Sequence, residues 1–342
     1  MSVRSLQEEM ARGEALRARG QVRGRYAPSP TGALHLGNLR TAMMAWLHAR
    51  CFDGVCILRV EDLDQQRCKD GFEEQMLDDL ELVGLDFDEG VREGGPCAPY
   101  RQSDRVPLYE EALAKLLEAG LAYPCYCTRK EIHRNGRRSS SGELVYGGRC
   151  LRLTSEEREA LARTRRPAWR FRVSSPDVAS DAVRFRDGIK GRGGEEASRL
   201  DETVQDVARQ VGDFIIKRRD GVFSYQLAVV LDDICMGVTD VVRGEDLYLN
   251  TPRQLLLYEA FGEAPPRFWH VPLVLSEEGK KLSKRDRAHS VRGVCEASGK
   301  SVEELWGELG LVPTPGMPAG HRIDDDVLQA REVEMGLRAQ VE

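Results

Sequence analysis

No stretch of about 18 consecutive apolar residues occurs in the 342-residue chain, which excludes a hydrophobic membrane-spanning helix. The first 20 residues, MSVRSLQEEMARGEALRARG, lack the apolar core of a secretory signal, so the expected compartment is the cytoplasm, with no membrane partner. A disulfide framework is missing as well, since nine cysteines, an odd number, lie scattered along a long chain. In a reducing compartment such cysteines fill core positions, ligate a metal or act as nucleophiles. Nor is positive charge in excess. With 50 basic and 56 acidic residues the formal net charge is −6, which argues against a general nucleic-acid coat. Hydrophobic residues at 41% and charged residues at 31% nonetheless describe a chain able to form a core.

The charges that are present are unevenly placed. Residues 53–93 carry 14 acids against 4 bases, a local net of −10, whereas residues 129–172 carry 13 bases against 5 acids, a net of +8. One phosphate-facing surface produces such asymmetry, and so does a solvated face with a long basic loop.

Residues 1–20 read as a polar tail of helical character. VRGRYAP, from Val22, is a short extended run closed by Pro28-Ser29-Pro30-Thr31-Gly32, where both prolines oppose helix. Leu36, Leu39, Met43 and Leu47 then recur at helical spacing, which predicts an amphipathic helix to about Arg50. The near-continuous apolar run Val55–Val60 fits a buried parallel strand. Strand, helix and strand in about 40 residues make a βαβ unit with a right-handed crossover, hence a nucleotide-type α/β sheet. Two more helices are predicted over 71–83 and 104–119, and 21–122 is read as the first half of that Rossmann-type α/β domain.

Residues 123–205 differ in character and are read as an inserted subdomain, with a loop at 134–143. The α/β pattern resumes over 206–290. DFIIKRRDGVFSY carries a hairpin signal around Arg219-Asp220-Gly221, followed by a helix and a strand Val238–Val242. Thr251 as N-cap and Pro252 at the first helical position open a helix to about Phe261, and Trp269–Leu275 is a further strand. Residues 291–342 form a short C-terminal region.

Three groups of residues carry chemistry. The loop Pro30–Asn38 enters a helix at the carboxyl end of the first strand, where open α/β sheets bind ligands and free helix N–H groups meet phosphate. It has neither the GxxxxGK[ST] nor the GxGxxG signature, but Gly37 allows a base to lie against backbone, and His35 and Asn38 can donate to phosphate oxygens. By itself a histidine beside a helix start is more often a cap or a core residue. Late in the chain, Lys281-Leu282-Ser283-Lys284 could close over a triphosphate or could be a solvated basic turn. Finally, Cys125-Tyr126-Cys127 with Cys150 supplies three thiols, enough for zinc with one more ligand, His133 being the conventional choice; three reduced core cysteines are the other reading.

Taken together, PSPTGALHLGN and, about 245 residues on, KLSK resemble the paired signatures of class I aminoacyl-tRNA synthetases. The strings RYAPSPTG (25–32), LRVEDLD (58–64), YQLAVVLDD (225–233) and VVRGEDL (241–247) narrow the resemblance to the glutamyl branch, over roughly residues 22–290. It implies an α/β fold: a class I synthetase Rossmann-type parallel sheet, an inserted acceptor-like zinc subdomain and a short helical C-terminal region. It further implies a glutamate pocket of Arg25, Ala27, Ser29, Glu61, Tyr225 and Arg243, and an ATP site of Pro28, His35, Gly37, Asn38 and Lys284. His35, Asn38, Lys281 and Lys284 would be the catalytic set, with Mg²⁺ accompanying ATP. Charge agrees, because glutamate needs cations for two carboxylates and an anion for its ammonium. Arg59, Asp62 and Asp64 read better as structural ion-pair members.

Only 57 residues follow Arg285, short for an anticodon-reading domain of about 100–150 residues. Together with CxC…YxxxC, in which Tyr146 rather than His133 is the fourth zinc ligand beside Cys125, Cys127 and Cys150, this resembles the glutamyl-queuosine tRNA(Asp) synthetases. That resemblance implies ATP, L-glutamate and queuosine-bearing tRNA(Asp) as partners of a monomer. The basic 129–172 segment is then expected on the tRNA backbone.

Overall fold

A computed structural model of the chain describes residues 4–139, 142, 144–173, 182–189, 202–273 and 304. Lys281 and Lys284 and nearly all of 291–342 lie outside these residues, whereas the strand expected over Trp269–Leu275 runs instead over Arg267–Val271, with Pro272 and Leu273 beyond its end.

Helix α1 (Leu6–Arg17) is started by a capping box between Ser5 and Glu8. Strand β1 (Arg23–Tyr26), helix α2 (Leu36–Cys51) and strand β2 (Val55–Leu58) form the expected βαβ unit, with β1 and β2 parallel and Arg25 opposite Ile57. Helices α3 (Phe72–Leu82) and α4 (Val106–Glu118) match the two expected next. The middle of the chain holds β3 (Ala122–Cys125), α5 (Arg129–Asn135), β4 (Arg137–Arg138), β5 (Leu144–Val145), α6 (Ser155–Thr164) and β6 (Ala168–Phe171). Then come β7 (Val183–Arg186), β8 (Glu202–Gln205), α7 (Val207–Gln210) and β9 (Phe214–Lys217). Helix α8 (Tyr225–Cys235), β10 (Asp240–Gly244), α9 (Thr251–Phe261) and β11 (Arg267–Val271) complete the described chain.

Strands β11, β10, β1 and β2 lie side by side in that order, all parallel. Both faces are covered, which explains why β2 reads as a continuous apolar run. Cys56, Leu58, Val242 and Trp269 point into a core with α2 and α3, while Ile57, Val241 and Phe268 point the other way into a core with α4, α8 and α9. A second sheet, β3-β6-β9, is antiparallel, and β4-β5 and β7-β8 are two-stranded antiparallel pairs.

Four other sequence expectations change. The N-terminal segment is part of the core: α1 packs on α8 and buries Leu6, Glu9, Gly13 and Leu16. The crossing is so close that a Cβ at Gly13 would run into the Ile234 carbonyl. The 134–143 stretch begins inside α5, and Arg137–Arg138 pairs with Leu144–Val145. Strand β9, assigned by its sequence position to the second catalytic half, pairs with β6, so that half completes the inserted sheet. Thr251 is the first helical residue of α9 rather than its cap; Asn250 holds the cap position, and the Thr251 hydroxyl accepts from Arg243 at 2.8 Å.

Candidate active site

The carboxyl edge of the parallel sheet collects the charged residues that the strings single out. Arg25 on β1 and Arg243 on β10 are 3% and 4% exposed, and Glu61, just beyond β2, is 9% exposed. The Glu61 backbone N–H donates to the Pro28 carbonyl at 2.9 Å, which holds the end of β2 against the turn after β1. Tyr225 opens α8 beside them, close enough for its hydroxyl to meet the Arg243 guanidinium. Pro28 is buried, Ala27 half-buried and Ser29 exposed at the mouth.

Arg59 is fully buried and held by acids: Asp233 at 2.7 Å, Glu61 at 3.2 Å and Asp232 at 3.7 Å. It is a structural ion-pair member as expected, and Asp64 pairs with Arg218 at 3.2 Å, whereas Asp62, expected in an ion pair, accepts from the Ser103 backbone N–H and hydroxyl instead. Arg25 Nε stands 3.4 Å from Asp233 and, though buried, has no hydrogen-bond partner among the described residues. Arg243 is held on several sides: Nε donates to His270 Nε2 at 2.9 Å, and its terminal nitrogens donate to Gln254 at 2.7 Å and Thr251 at 2.8 Å.

Burial dominates the ionisation of the pocket. It pushes the Glu61 carboxyl up to about 7, outweighing the pull of Arg59 and Arg25. It also raises the Tyr225 hydroxyl and lowers the Arg243 guanidinium. The free pocket is therefore poised to gain from a ligand that brings both a negative group for the arginines and a positive one for Glu61.

His35 is the N-cap of α2, its Nδ1 accepting from the Asn38 backbone N–H at 3.2 Å. An accepting Nδ1 puts the proton of the neutral ring on Nε2, so the capping and donating roles are compatible. Gly37 and Asn38 lie in the first turn of that helix, and the Asn38 side-chain oxygen is buried without a hydrogen-bond partner among the described residues. Tyr26, next to Arg25, donates to the Asn38 carbonyl at 3.4 Å and ties the two regions together.

The cysteines form a separate cluster under the inserted sheet. The sulfurs of Cys125, Cys127 and Cys150 all lie within 4.8 Å of one another, and Cys127 and Cys150 are 3.5 Å apart. Zinc–sulfur bonds of about 2.3 Å in a tetrahedron separate thiolates by about 3.8 Å, so the spacing fits a metal. The Tyr146 hydroxyl sits 3.6 Å from Cys127 Sγ and accepts from the Cys150 backbone N–H, while Arg170 lies 3.9 Å over its ring. His133, on α5, is exposed and outside the group. A hydrogen bond from the Cys125 thiol lowers Cys150, and the same bond raises Cys125. Among the other described cysteines Cys56, Cys97 and Cys235 are buried, whereas Cys51 and Cys68 are half-buried.

Sequence reasoning missed the supports of the arginines. Asp233 was visible as an acid in the apolar helix YQLAVVLDDIC, but Gln254 and His270 carried no local signal.

A parallel sheet with both faces covered, whose carboxyl edge carries this pocket beside the HLGN helix, defines a class I synthetase catalytic unit. Residues 21–309 match the family model of the tRNA synthetases class I (E and Q), catalytic domain, and the chain belongs to that family. It is an enzyme of the aminoacyl-tRNA synthetase type, with homologues named as glutamyl-Q tRNA(Asp) synthetases and glutamate–tRNA ligases. It is 46% identical over 300 residues to the glutamyl-Q tRNA(Asp) synthetase of Symbiobacterium thermophilum, covering 85% of this chain and 88% of that one. To glutamate–tRNA ligase 2 of Syntrophus aciditrophicus it is 46% identical over 293 residues, covering 85% of this chain but 57% of that one. A crystal structure of a glutamate tRNA ligase from Elizabethkingia meningosepticum in complex with its amino acid superposes with a TM-score of 0.70 at 30% identity, covering 90% of this chain and 64% of that chain. The chain thus spans just under two thirds of that solved structure. Among the described residues no helix is long and apolar enough to cross a membrane.

Proposed function

We propose that the chain activates L-glutamate with ATP and transfers it to the queuosine base at the wobble position of tRNA(Asp). In the first step a glutamate carboxylate oxygen bonds to the α-phosphorus of ATP and the bond to the bridging oxygen breaks, releasing pyrophosphate and leaving glutamyl-adenylate. Arg25 and Arg243 hold the carboxylates, Glu61 takes the ammonium, and Ala27, Ser29 and Tyr225 close the pocket. Pro28, Gly37 and the first turn of α2 receive the nucleotide, with His35 and Asn38 donating to phosphate. Lys281 and Lys284, outside the described residues, neutralise the leaving group, and Mg²⁺ accompanies ATP as counter-ion. Positioning and electrostatics suffice for this chemistry, so no protein nucleophile is involved. In the second step a hydroxyl of the queuosine cyclopentene ring attacks the activated carbonyl and AMP leaves.

Cys125, Cys127, Cys150 and Tyr146 would hold a structural zinc ion, which pins the inserted subdomain. The exposed cations Arg129, Lys130, Arg134 and Arg166 suit a tRNA backbone. ATP and tRNA as substrates fit a cytoplasmic enzyme, and we read it as a monomer.

One observation carries the glutamate half: two buried arginines converge with a buried carboxyl at the sheet edge. The queuosine half rests on the relatives named glutamyl-Q tRNA(Asp) synthetase, matched over 88% and 86% of their own lengths. Transfer of labelled glutamate to tRNA(Asp) with and without the modified base tests it, the label being located by nuclease digestion. Label on the anticodon fragment only when queuosine is present is the expected result. Label at the 3′ end would favour the second reading, glutamate–tRNA ligation, to which the 46% identity with such a ligase lends weight. Absence of glutamate-dependent ATP–pyrophosphate exchange, with or without tRNA, would point to a non-catalytic nucleotide- or tRNA-binding paralogue.

A further inference from the structure

Arg243 Nε carries a single hydrogen and can only donate, so the His270 Nε2 that faces it at 2.9 Å must be unprotonated. The proton of the neutral ring therefore sits on Nδ1, and Nδ1 meets the Oδ2 of buried Asp187. The other carboxylate oxygen is already committed: Asp187 Oδ1 accepts from the backbone N–H of Ile189 at 3.0 Å and of His270 at 3.4 Å. Asp187 reaches this place because the chain after β7 forms a parallel bridge with Phe268 on β11. The next residue must be small there, since a Cβ at Gly188 would enter the Trp269 ring. Phe268 and Tyr248 pack on the His270 ring, stacked at 6.2 Å and edge-on at 5.0 Å.

We infer that Asp187 and His270 are a positioning pair: Asp187 holds His270 as the Nδ1–H tautomer, and His270 thereby presents a lone pair that aims the Arg243 guanidinium at the substrate carboxylate. Neither touches the substrate; both act through Arg243. The inference rests on the reading that Arg243 receives a glutamate carboxylate. It adds a specificity device, because an arginine held on its Nε side by an uncharged acceptor stays available to an anion, whereas a carboxylate in that position would compete for its charge.

Replacing Asp187 by asparagine tests the tautomer. The two backbone N–H groups keep the amide oxygen where Oδ1 was, so the NH₂ group faces His270 Nδ1 and demands an acceptor there. The proton then moves to Nε2 and confronts the Arg243 N–H. In glutamate-dependent ATP–pyrophosphate exchange with the full chain and tRNA, Asp187→Asn should raise the KM for glutamate about tenfold, the factor for one hydrogen bond to a charged group, with the KM for ATP and kcat little changed. His270→Gln supplies a side-chain oxygen to Arg243 without needing Asp187, so Asp187→Asn should add little in that background. Equal losses for ATP and glutamate, or the same penalty with and without His270→Gln, would overturn the pair. An independent readout is the imidazole ¹⁵N spectrum of His270, with Nδ1 protonated in the wild type and the pattern reversed or mixed in Asp187→Asn. Wild-type protein lacking glutamate-dependent exchange would defeat the functional reading, while the imidazole spectrum would still decide the tautomer.

Discussion

The arginines of the pocket are distinguished by what holds them. Arg59 is consumed by Asp233, Asp232 and Glu61, whereas Arg243 is held mostly by neutral acceptors and keeps its charge for a ligand. Arg243→Ala should therefore raise the KM for glutamate at least about tenfold while ATP binding stays near wild type, and equal losses in both would remove it from the pocket. Glu61 should set the pH response of glutamate binding. Its carboxyl, pushed up to about 7 by burial, takes a proton as pH falls through that value, and the neutral form cannot pair with an ammonium. The KM for glutamate should rise as pH drops from about 8 to about 6, and Glu61→Gln should show a raised KM that no longer changes over that window. The effect on stability has the opposite sense. Because the folded state holds this proton more tightly than the unfolded chain, the contribution is full below the ordinary carboxylate range and is lost as pH rises through about 7.

Among the elements, α1 is the least expected part of the core. Its sequence is polar, and its place against α8 depends on backbone-to-backbone approach at Gly13 more than on an apolar stripe. Gly13→Ala improves helix propensity by about 1 kcal/mol, yet the obstacle it meets is the Ile234 main-chain carbonyl, which cannot rotate away. The clash should prevail and lower unfolding stability by roughly 1–3 kcal/mol, read from the urea midpoint. An unchanged midpoint would mean that α1 sits off α8 in solution.

At the scale of the whole molecule, the parallel sheet carries the candidate pocket while the inserted sheet carries the cysteine cluster, and β9 followed by α8 joins them. The Arg219 guanidinium reinforces the joint, donating to the carbonyls of Tyr126 and Cys127, both at 3.1 Å. Purified protein should contain about one zinc per chain. Chelation should raise amide exchange over residues 122–153 while β1 and β2 remain protected, and metal-free protein with the same protection would dismiss the site. Charge acts at this scale too. A tenfold increase in salt should weaken tRNA binding steeply, and Arg134→Glu with Arg166→Glu should flatten the log–log slope by roughly one for each phosphate no longer neutralised. An unaltered slope would put the tRNA elsewhere.

Much of this was written locally in the chain. The βαβ unit was legible because a turn with two prolines, a helical spacing of apolar residues and a continuous apolar run are signals within about 40 residues. Arg25, Glu61 and Arg243 were legible through the strings shared with the glutamyl branch, and Cys125, Cys127 and Cys150 through their spacing. The partners themselves were decided only by the tertiary fold. Asp187 and His270 are 83 residues apart and meet through a strand bridge, β9 pairs across an expected boundary, and Thr251 looks like a helix cap until Arg243 claims its hydroxyl. Hydrophobic periodicity and turn chemistry act between near neighbours, so the sequence alone determined the elements and the kinds of charge they carry. Which buried donor faces which acceptor depends on long-range packing, and that only the assembled sheets and helices could settle.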